Sequence, residues 1–388
     1  MATNDVRKLL GEVMKDLAEM IETGRATRPV RVGLTTYGSE LGQDEMVRGA
    51  ELAAKANPGI EVVLIGPKVE SALRQEVTDA CEADLHKKLE SLLDAGAIDA
   101  CVTMHYSFPI GVSTVGRIIT PGRGREVFLA TTTGTSDTAR VPAMIKNAIY
   151  GVIAAKASGI RRPTVGILNV DGARQVERAL KKLQANGYPI CFAESVRADK
   201  GCVLRGNDLL AGAPDVCVTD SLTGNVLMKV FSAYTTGGDY ESLGYGYGPG
   251  IGEGYGRVVM ILSRASGAPV VAGAIRYAYD LVRGNLAEVA KAEFAAANAA
   301  GLREILAEFS ETATTKGAAA AEVTAPPAKV TDHEIGGIDI LQIEDAVKAL
   351  WRAGIYAGSG MGCTGPVVMV AHEDTEAAIK VLKENGYL

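Results

Sequence analysis

Short apolar runs rich in β-branched residues alternate with helix-like segments along most of this 388-residue chain. The runs include VRVGLTT, IEVVLIG, AIDACVTM, EVFLAT, TVGILNV, YPICFAE and APDVCVTD. Helical patterns separate several of them, as at residues 44–56 and 173–186. Such alternation is typical of a mostly parallel sheet with helices on its faces. We therefore predict an α/β fold whose ligands bind at the loops that leave the carboxyl ends of the strands.

A change of composition near residue 310 indicates a domain boundary. An alanine-rich helix over residues 286–309 closes the predicted α/β body, residues 1–310. Residues 311–330 have almost no large apolar side chains and contain two adjacent prolines, which is typical of a flexible linker. Residues 331–388 then form a small C-terminal α/β domain.

The small domain has its own helix and strand patterns. The runs HEIGGIDIL and PVVMVA are each long enough for a strand. One helical face is formed by Ile343, Ala346, Val347, Leu350 and Trp351. We expect the last helix to be capped by Asp374 and terminated by Gly386.

Charge and composition exclude several classes of function. A formal net charge of −6 gives no electrostatic reason to bind nucleic acid or an anionic membrane. The first 24 residues have the pattern of an amphipathic helix with charges throughout, which excludes the apolar core of a signal peptide. No apolar run approaches the ~20 residues of a membrane-spanning helix. We therefore expect a cytoplasmic protein.

The six cysteines are scattered, and no two of them form a CxxC motif. This spacing argues against a zinc site, a redox dithiol and an iron–sulfur cluster. Cys101 and Cys217 lie inside apolar runs and are predicted to be core residues. We expect no metal and no organic cofactor.

The segment GSGMGCTGPVVMVA, residues 358–371, places one cysteine in a glycine-rich setting. Glycines allow backbone N–H groups to surround one atom, because no Cβ blocks the approach. Amides around Cys363 would stabilise its thiolate and the oxyanion of a tetrahedral intermediate, and Thr364 would add a hydroxyl donor. A single cysteine in a core is the plainer alternative. His372 follows the next strand and is a weaker candidate for a general base.

A second polar cluster lies around the predicted strand end at residue 220. Asp220, Thr223, Asn225 and Lys229 follow this strand and begin the next helix. A helix N-terminus with a nearby lysine is a suitable place for a phosphate or an acyl phosphate. Helix capping by Asp220 or Thr223, with a solvated Lys229, explains the same pattern without a ligand.

The run LGYGYGPGIGEGYGR, residues 243–257, is a further glycine cluster. It does not match GxGxxG and gives no argument for NAD. A mobile lid, an interface loop and a long surface loop are the three interpretations that its composition leaves open.

The segment GNDLLAGAPDVCVTDSLTGNVLMK, which adds Asn207 to the candidate phosphate ligands, resembles the phosphate acyltransferases of phospholipid synthesis. So do RRPTVGILNV, GAPVVAGA and, more loosely, YGSELGQDEMVRGAELAAK. The resemblance covers residues 31–285 in pieces and implies an α/β/α sandwich of the isocitrate-dehydrogenase-like type. Those enzymes make acyl phosphate from acyl-carrier-protein thioesters.

The C-terminal GMGCTGP motif is foreign to those enzymes, and with it the whole chain resembles the alpha subunits of protein C of the glycine/sarcosine/betaine reductase complex. The resemblance implies a larger beta subunit and the carboxymethylated selenoprotein A as partners. It also implies that an acetyl thioester on Cys363, with Thr364 beside it, is cleaved by phosphate to acetyl phosphate. An ordinary phosphate acyltransferase and a non-catalytic subunit that positions a partner are the competing hypotheses.

Overall fold

The computed structural model describes residues 28–309 except Asp199, together with Met14, Ile21 and residues 323–329, 331, 333–336, 338, 342–362 and 365–388. The chain divides into two compact units, Met1–Asn169 with Arg174–Ile305, and Val170–Ala173 with Leu306–Leu388. Most of the predicted linker and of the predicted N-terminal helix lies outside the described residues, so the predicted boundaries at 310 and 330 stay predictions.

The first unit is built on a sheet that has twelve strands in the described part of the chain. In chain order these are β1 (Val30–Thr35), β2 (Ile60–Gly66), β3 (Arg74–Val77), β4 (Ala100–Thr103), β5 (Val112–Ile119), β6 (Glu126–Thr135), β7 (Thr164–Leu168), β8 (Cys191–Phe192), β9 (Val203–Leu204), β10 (Val216–Val218), β11 (Gly248–Ile251) and β12 (Val259–Ile261). Across the sheet the order is β3-β2-β1-β4-β12-β11-β5-β6-β10-β7-β8, and β9 also pairs with β7.

Two parallel blocks of this sheet run in opposite directions. Strands β3, β2, β1, β4 and β12 are parallel to one another, as are β6, β10, β7, β8 and β9. Between the blocks, β12 pairs with β11, β11 with β5, and β5 with β6, and all three pairings are antiparallel. An odd number of reversals places the carboxyl ends of the two blocks at opposite edges of the sheet.

The helices of the first unit alternate with its strands. They are α1 (Gln43–Ala56), α2 (Glu82–Asp94), α3 (Arg140–Ala157), α4 (Ala173–Ala185), α5 (Gly206–Leu210), α6 (Ser221–Ala233), α7 (Ala268–Arg283) and α8 (Leu286–Ala299). Adjacent residues of β10 show how the layers form, because successive side chains of a strand point to opposite faces. Cys217 packs with Met228 and Phe231 of α6. Val216 contacts α3 so closely that a Cβ on Gly151 would lie 2.2 Å from it. Helices α3 and α6 therefore cover opposite faces, which confirms the predicted α/β/α class.

Most predicted elements are confirmed, but the single helix over residues 286–309 is wrong. Helix α8 ends at Ala299, and residues 302–309 form a separate helical stretch. Gly301 lies between them with φ +85°, a left-handed conformation that a continuing α-helix does not contain.

The interpretation of residues 243–257 as a lid or a surface loop is also wrong for much of the segment. Its centre is the buried strand β11, at the junction of the two sheet blocks. A Cβ on Gly248 would lie 1.7 Å from the carbonyl oxygen of Val115, and a Cβ on Gly250 would lie 2.3 Å from the ring of Phe108. The glycines are required here because neighbouring chain approaches too closely for side chains.

The second unit contains an antiparallel sheet in the order β13-β15-β14, with β13 (His333–Ile335), β14 (Ala357–Gly362) and β15 (Gly365–Val370). Its helices are α9 (Ile343–Arg352) and α10 (Thr375–Glu384). The predicted face of α9 is confirmed: Ile343, Ala346, Val347 and Leu350 belong to one buried core, and Trp351 packs against it.

One expectation for the second unit needs correction. Asp374 precedes α10 but makes no side-chain capping bond. The glycine-rich residues before Cys363 belong to strand β14, in which Gly358 and Gly360 pair with Met369 and Val367 of β15. Helix α10 does end before Gly386, which has φ +71°.

Candidate active site

A cavity of about 240 Å³ lies where the loops after β6 and β10 meet. Both strands belong to the same parallel block, so their carboxyl ends share one edge of the sheet. Its lining residues come from the end of β6, from the loop after it (residues 136–138), from α3 and from the start of α6 with its cap, Asp220. This is the location at which ligands bind in open α/β sheets.

Two helix N-termini face this cavity. Asp220 caps α6 by accepting a hydrogen bond from the Thr223 N–H at 3.0 Å, and it also accepts one from Thr223 Oγ1 at 2.7 Å. Ser221 and Leu222 are the first two residues of α6, and no carbonyl within the helix accepts a hydrogen bond from their N–H groups. Arg140, the first residue of α3, lines the same cavity. The dipoles of both helices favour negative charge at this point.

Asp137 in the cavity wall is held as a carboxylate. Partial burial disfavours its charged form, but hydrogen bonds from Lys146 Nζ at 2.6 Å and from the Ala139 N–H at 3.1 Å outweigh this and lower its pKa. Its negative charge is thus balanced by Lys146, which lies on α3.

Asn147, which is buried, connects the two loops beneath the cavity. Its Oδ1 accepts a hydrogen bond from Ser136 Oγ at 2.7 Å, and its Nδ2 donates to the Thr219 carbonyl at 3.1 Å. Ser136 belongs to the loop after β6, and Thr219 immediately precedes Asp220. One side chain of α3 therefore fixes both loops relative to each other.

The structure separates the residues predicted to gather at residue 220. Asp220 lines the cavity and Thr223 is bonded to it, so the predicted helix cap is confirmed. Asn225 Nδ2 donates to the Thr132 carbonyl at 3.0 Å. Asn207 is exposed on α5 and does not line the cavity.

Lys229 lies eight residues along α6 from Ser221, about 12 Å along the helix axis at ~1.5 Å per residue. It does not line the cavity. Its Nζ is 3.8 Å from Glu241 Oε1 and 5.6 Å from the centre of the Tyr247 ring. Glu241 is buried and also accepts hydrogen bonds from Tyr247 and from Ser266, both at 2.9 Å. The prediction that Lys229 sits at the helix N-terminus is therefore wrong.

The sequence interpretation missed the run TTTGTSDTAR, residues 131–140, which forms one wall of the cavity. The sequence does contain a signal for this wall: a strand ends in a dense group of hydroxyl side chains, and an aspartate lies three residues before the first residue of a helix. Such residues favour turns and helix starts.

Cys363 and Thr364 lie outside the described residues. Their neighbours Gly362 and Gly365 pair with each other at one end of the β14–β15 ladder. His372 follows the other end of β15, roughly 20 Å from Gly365 along a strand that rises ~3.3 Å per residue. This placement disfavours His372 as a base for a group next to Gly362 or Gly365.

The predicted core cysteines are confirmed. Cys101 and Cys217 are fully buried, and desolvation raises the pKa of each thiol to about 12. Burial likewise raises the pKa of Cys202 to about 11. Among the described cysteines, Cys81 is exposed and Cys191 is partly exposed. In the described part of the chain, no helix has the length and apolar character needed to cross a bilayer.

Comparison with known proteins places these features in a family. The family model described as "Fatty acid synthesis protein" matches residues 30–369. The chain is 60% identical over 383 residues to the glycine/sarcosine/betaine reductase complex component C subunit alpha of Peptoclostridium acidaminophilum, covering 99% of each chain. It is 27% identical over 242 residues to a phosphate acyltransferase of Lysinibacillus sphaericus, covering 52% of this chain and 70% of that one.

Among solved structures, a branched-chain phosphotransacylase from Enterococcus faecalis aligns with a TM-score of 0.43 at 14% identity, covering 65% of this chain and 99% of that one. The sequence relationships carry the assignment. The chain belongs to the family of component C alpha subunits of glycine/sarcosine/betaine reductase complexes, within the wider family of fatty acid synthesis proteins.

Proposed function

We propose that this protein transfers an acetyl group from a thioester to phosphate as a subunit of an amino-acid reductase complex. The thioester is carried by Cys363, with Thr364 as a hydroxyl donor beside it. A phosphate oxygen attacks the thioester carbonyl and the carbon–sulfur bond breaks. Acetyl phosphate is released, and Cys363 is regenerated as the thiolate. An acyltransferase role is supported by the phosphate acyltransferase relatives, and the place in a reductase complex by the name of the 60% identical relative.

The observation that carries the phosphate part of the proposal is the convergence of two helix N-termini on one hydroxyl-rich cavity. The N–H groups of Ser221 and Leu222, the Arg140 guanidinium and the Ser221 hydroxyl are groups of the kind that bind oxyanions. Asp220 keeps a helix start in place at the cavity wall. The phosphate-binding roles first predicted for Thr223, Asn225, Lys229 and Asn207 remain predictions.

The two carboxylates in the wall give the site a preference among oxyanions. Asp137 and Asp220 can only accept hydrogen bonds when ionised. Hydrogen phosphate and arsenate carry a proton to donate to such an acceptor near neutral pH, whereas sulfate carries none. We therefore expect phosphate and arsenate to bind and sulfate to compete poorly.

The partners we propose are the larger beta subunit of component C and the carboxymethylated selenoprotein A, which would deliver the group that becomes the thioester. We propose a cytoplasmic location for the complex. The second candidate is an ordinary phosphate acyltransferase that uses acyl-carrier-protein thioesters. It is favoured by the 27% identical relatives, but these cover only 52% of this chain.

Arsenate-dependent breakdown of acetyl phosphate tests the thioester. Acetyl transfer to Cys363 followed by arsenolysis consumes acetyl phosphate, and the Cys363→Ala protein should lose this activity entirely. Cys81→Ala is the matched control, because Cys81 is an exposed thiol to which the proposal gives no role. Wild-type turnover in Cys363→Ala would exclude the covalent route and leave the ordinary acyltransferase.

A charge placed at the cavity tests the phosphate site. Leu222 lines the cavity in the first turn of α6 and is 74% exposed, so its replacement leaves the core intact. Leu222→Asp should raise KM for phosphate by roughly tenfold through like-charge repulsion, and an aspartate there does not destabilise the helix start. Leu222→Asn has nearly the same shape without the charge and should leave KM within about twofold. Equal KM values in the two variants would place the phosphate elsewhere.

A further inference from the structure

A second cavity of about 490 Å³ lies at the amino edge of β7 and β8, away from the loops that follow β6 and β10. Lys156, Arg161, Arg162 and Cys191 line it, together with residues of the turn between α4 and β8. None of its lining residues is acidic, although the whole chain has a net charge of −6. We call this cavity the basic groove.

The two arginines of the basic groove form no ion pair within the described part of the chain. Lys156 is neutralised by Glu293, whose carboxylate it contacts at 2.5 Å, and Tyr188 donates to the same carboxylate at 2.8 Å. Both Arg161 and Arg162 are exposed, and neither forms a salt bridge with a described residue. Arg162 Nη2 donates a hydrogen bond to Cys191 Sγ at 3.7 Å.

Apolar side chains form part of the remaining wall of the groove. Pro163 and Ile190 are buried, and Gln184 Nε2 fixes the turn by donating to the Ile190 carbonyl at 2.7 Å. A volume of this size falls within the ~300–1,000 Å³ range of small-molecule sites. Two adjacent guanidinium groups offer planar pairs of N–H donors that match phosphate oxygens.

We propose that the basic groove binds a small phosphate-bearing molecule, held by Arg161 and Arg162 with its remaining part against Pro163 and Ile190. This site is separate from the one proposed for the phosphate acceptor, and it does not depend on the proposed reaction. Inorganic phosphate and a phosphate ester share the chemistry that the arginines recognise.

The alkylation rate of Cys191, which lines the groove, measures what enters or occupies the groove. Cys81, which is exposed and lies outside the groove, is the internal standard. Labelling of the full chain is followed at each cysteine by peptide mass spectrometry. The quantity compared is the labelling rate with anionic iodoacetate divided by the rate with neutral iodoacetamide. At low ionic strength this ratio should be about fivefold higher at Cys191 than at Cys81, because the arginines concentrate anions. Equal ratios at the two cysteines would overturn the proposal.

Occupancy is tested with inorganic pyrophosphate and inorganic phosphate at constant ionic strength. Pyrophosphate should slow iodoacetamide labelling of Cys191 at least about threefold at saturation and leave Cys81 unchanged. Arg161→Gln keeps the Arg162–Cys191 bond and should abolish this protection, whereas Arg48→Gln removes a distant exposed arginine and should preserve it. Protection by phosphate as well indicates that the bare anion suffices, and protection by pyrophosphate alone indicates a larger ligand. No protection by either probe, or protection that survives Arg161→Gln, overturns the proposal.

Discussion

Replacement of Asn147 by alanine tests how the cavity is held together. The side chain is 1% exposed and joins the Ser136 hydroxyl to the Thr219 carbonyl. The alanine variant removes both hydrogen bonds and leaves both partners buried. The Thr219 carbonyl loses this partner, at a cost of about 1–3 kcal/mol for an unsatisfied buried polar group. The Ser136 hydroxyl loses one hydrogen bond, worth about 0.5–1.5 kcal/mol, but keeps the Ala143 carbonyl as an acceptor at 3.3 Å. The free energy of unfolding should therefore fall by about 1.5–4.5 kcal/mol. This is a large part of the ~5–15 kcal/mol that stabilises a typical domain.

Urea denaturation followed by far-UV circular dichroism measures this loss, because the helices of the first unit dominate that signal. Tryptophan fluorescence is unsuitable, since the single tryptophan, Trp351, lies in the second unit. Below the temperature at which the variant unfolds, KM for phosphate should also rise, because both loops of the cavity lose their common anchor.

Ser113→Ala is the matched control for this change. Its hydroxyl donates to the same Asn147 Oδ1 but at 3.4 Å, near the limit of a hydrogen bond. Its loss should cost at most about 1 kcal/mol. If Asn147→Ala is no more destabilising than Ser113→Ala, the asparagine does not hold the two loops and the reasoning is wrong.

Gly248→Ala should lower the thermal denaturation midpoint by far more than Gly254→Ala: both glycines have positive φ, but only at Gly248 would the new Cβ clash with a facing carbonyl. Equal decreases of the midpoint in the two variants would mean that the cost comes from the positive φ alone and not from the clash with the carbonyl. Asp137→Asn should destabilise the protein at neutral pH but not in acid: Lys146 outweighs burial and lowers the pKa of Asp137, so the stabilisation is full above the unfolded-state pKa near ~4 and is lost as pH falls through the folded-state pKa. Urea titrations of both proteins at several pH values measure this, and a pH-independent difference would contradict it. Cys101, with its pKa raised to about 12, should resist iodoacetamide at mildly alkaline pH until urea unfolds the body, and labelling of the native protein would show that the core opens locally.

The sequence was sufficient to predict those helices and strands whose own apolar residues form the buried core. Strands β1 and β2 and helix α9 were predicted nearly to the residue, because their side chains carry the core contacts. Strand β11 was not, since GPGI has the composition of a turn. It forms a strand because it pairs with β5 on one side and with β12 on the other. These pairings cannot be predicted from the residues of the segment itself.

The candidate site was predicted in part for a similar reason. The strand–helix junction at Asp220 is local in sequence and was found, as was the cap. The opposite wall comes from residues 131–140, about 80 residues earlier, and joins it only through the pairing of β6 with β10. Lys229 is close to the junction in sequence but not in space, because the eight positions from Ser221 to Lys229 are more than two turns of helix.

The opposite directions of the two parallel blocks also shape the electric field of the body. Helix α1 connects β1 to β2 and runs antiparallel to them, and α3 does the same between β6 and β7. Because β1 and β6 point in opposite directions, the macrodipoles of α1 and α3 oppose each other and largely cancel at long range. Each helix start keeps its positive end only at short range, on its own half of the sheet. A diffusing anion therefore feels little attraction at long range from this pair of helices, and its capture depends on the side chains and amides of the loop that it reaches.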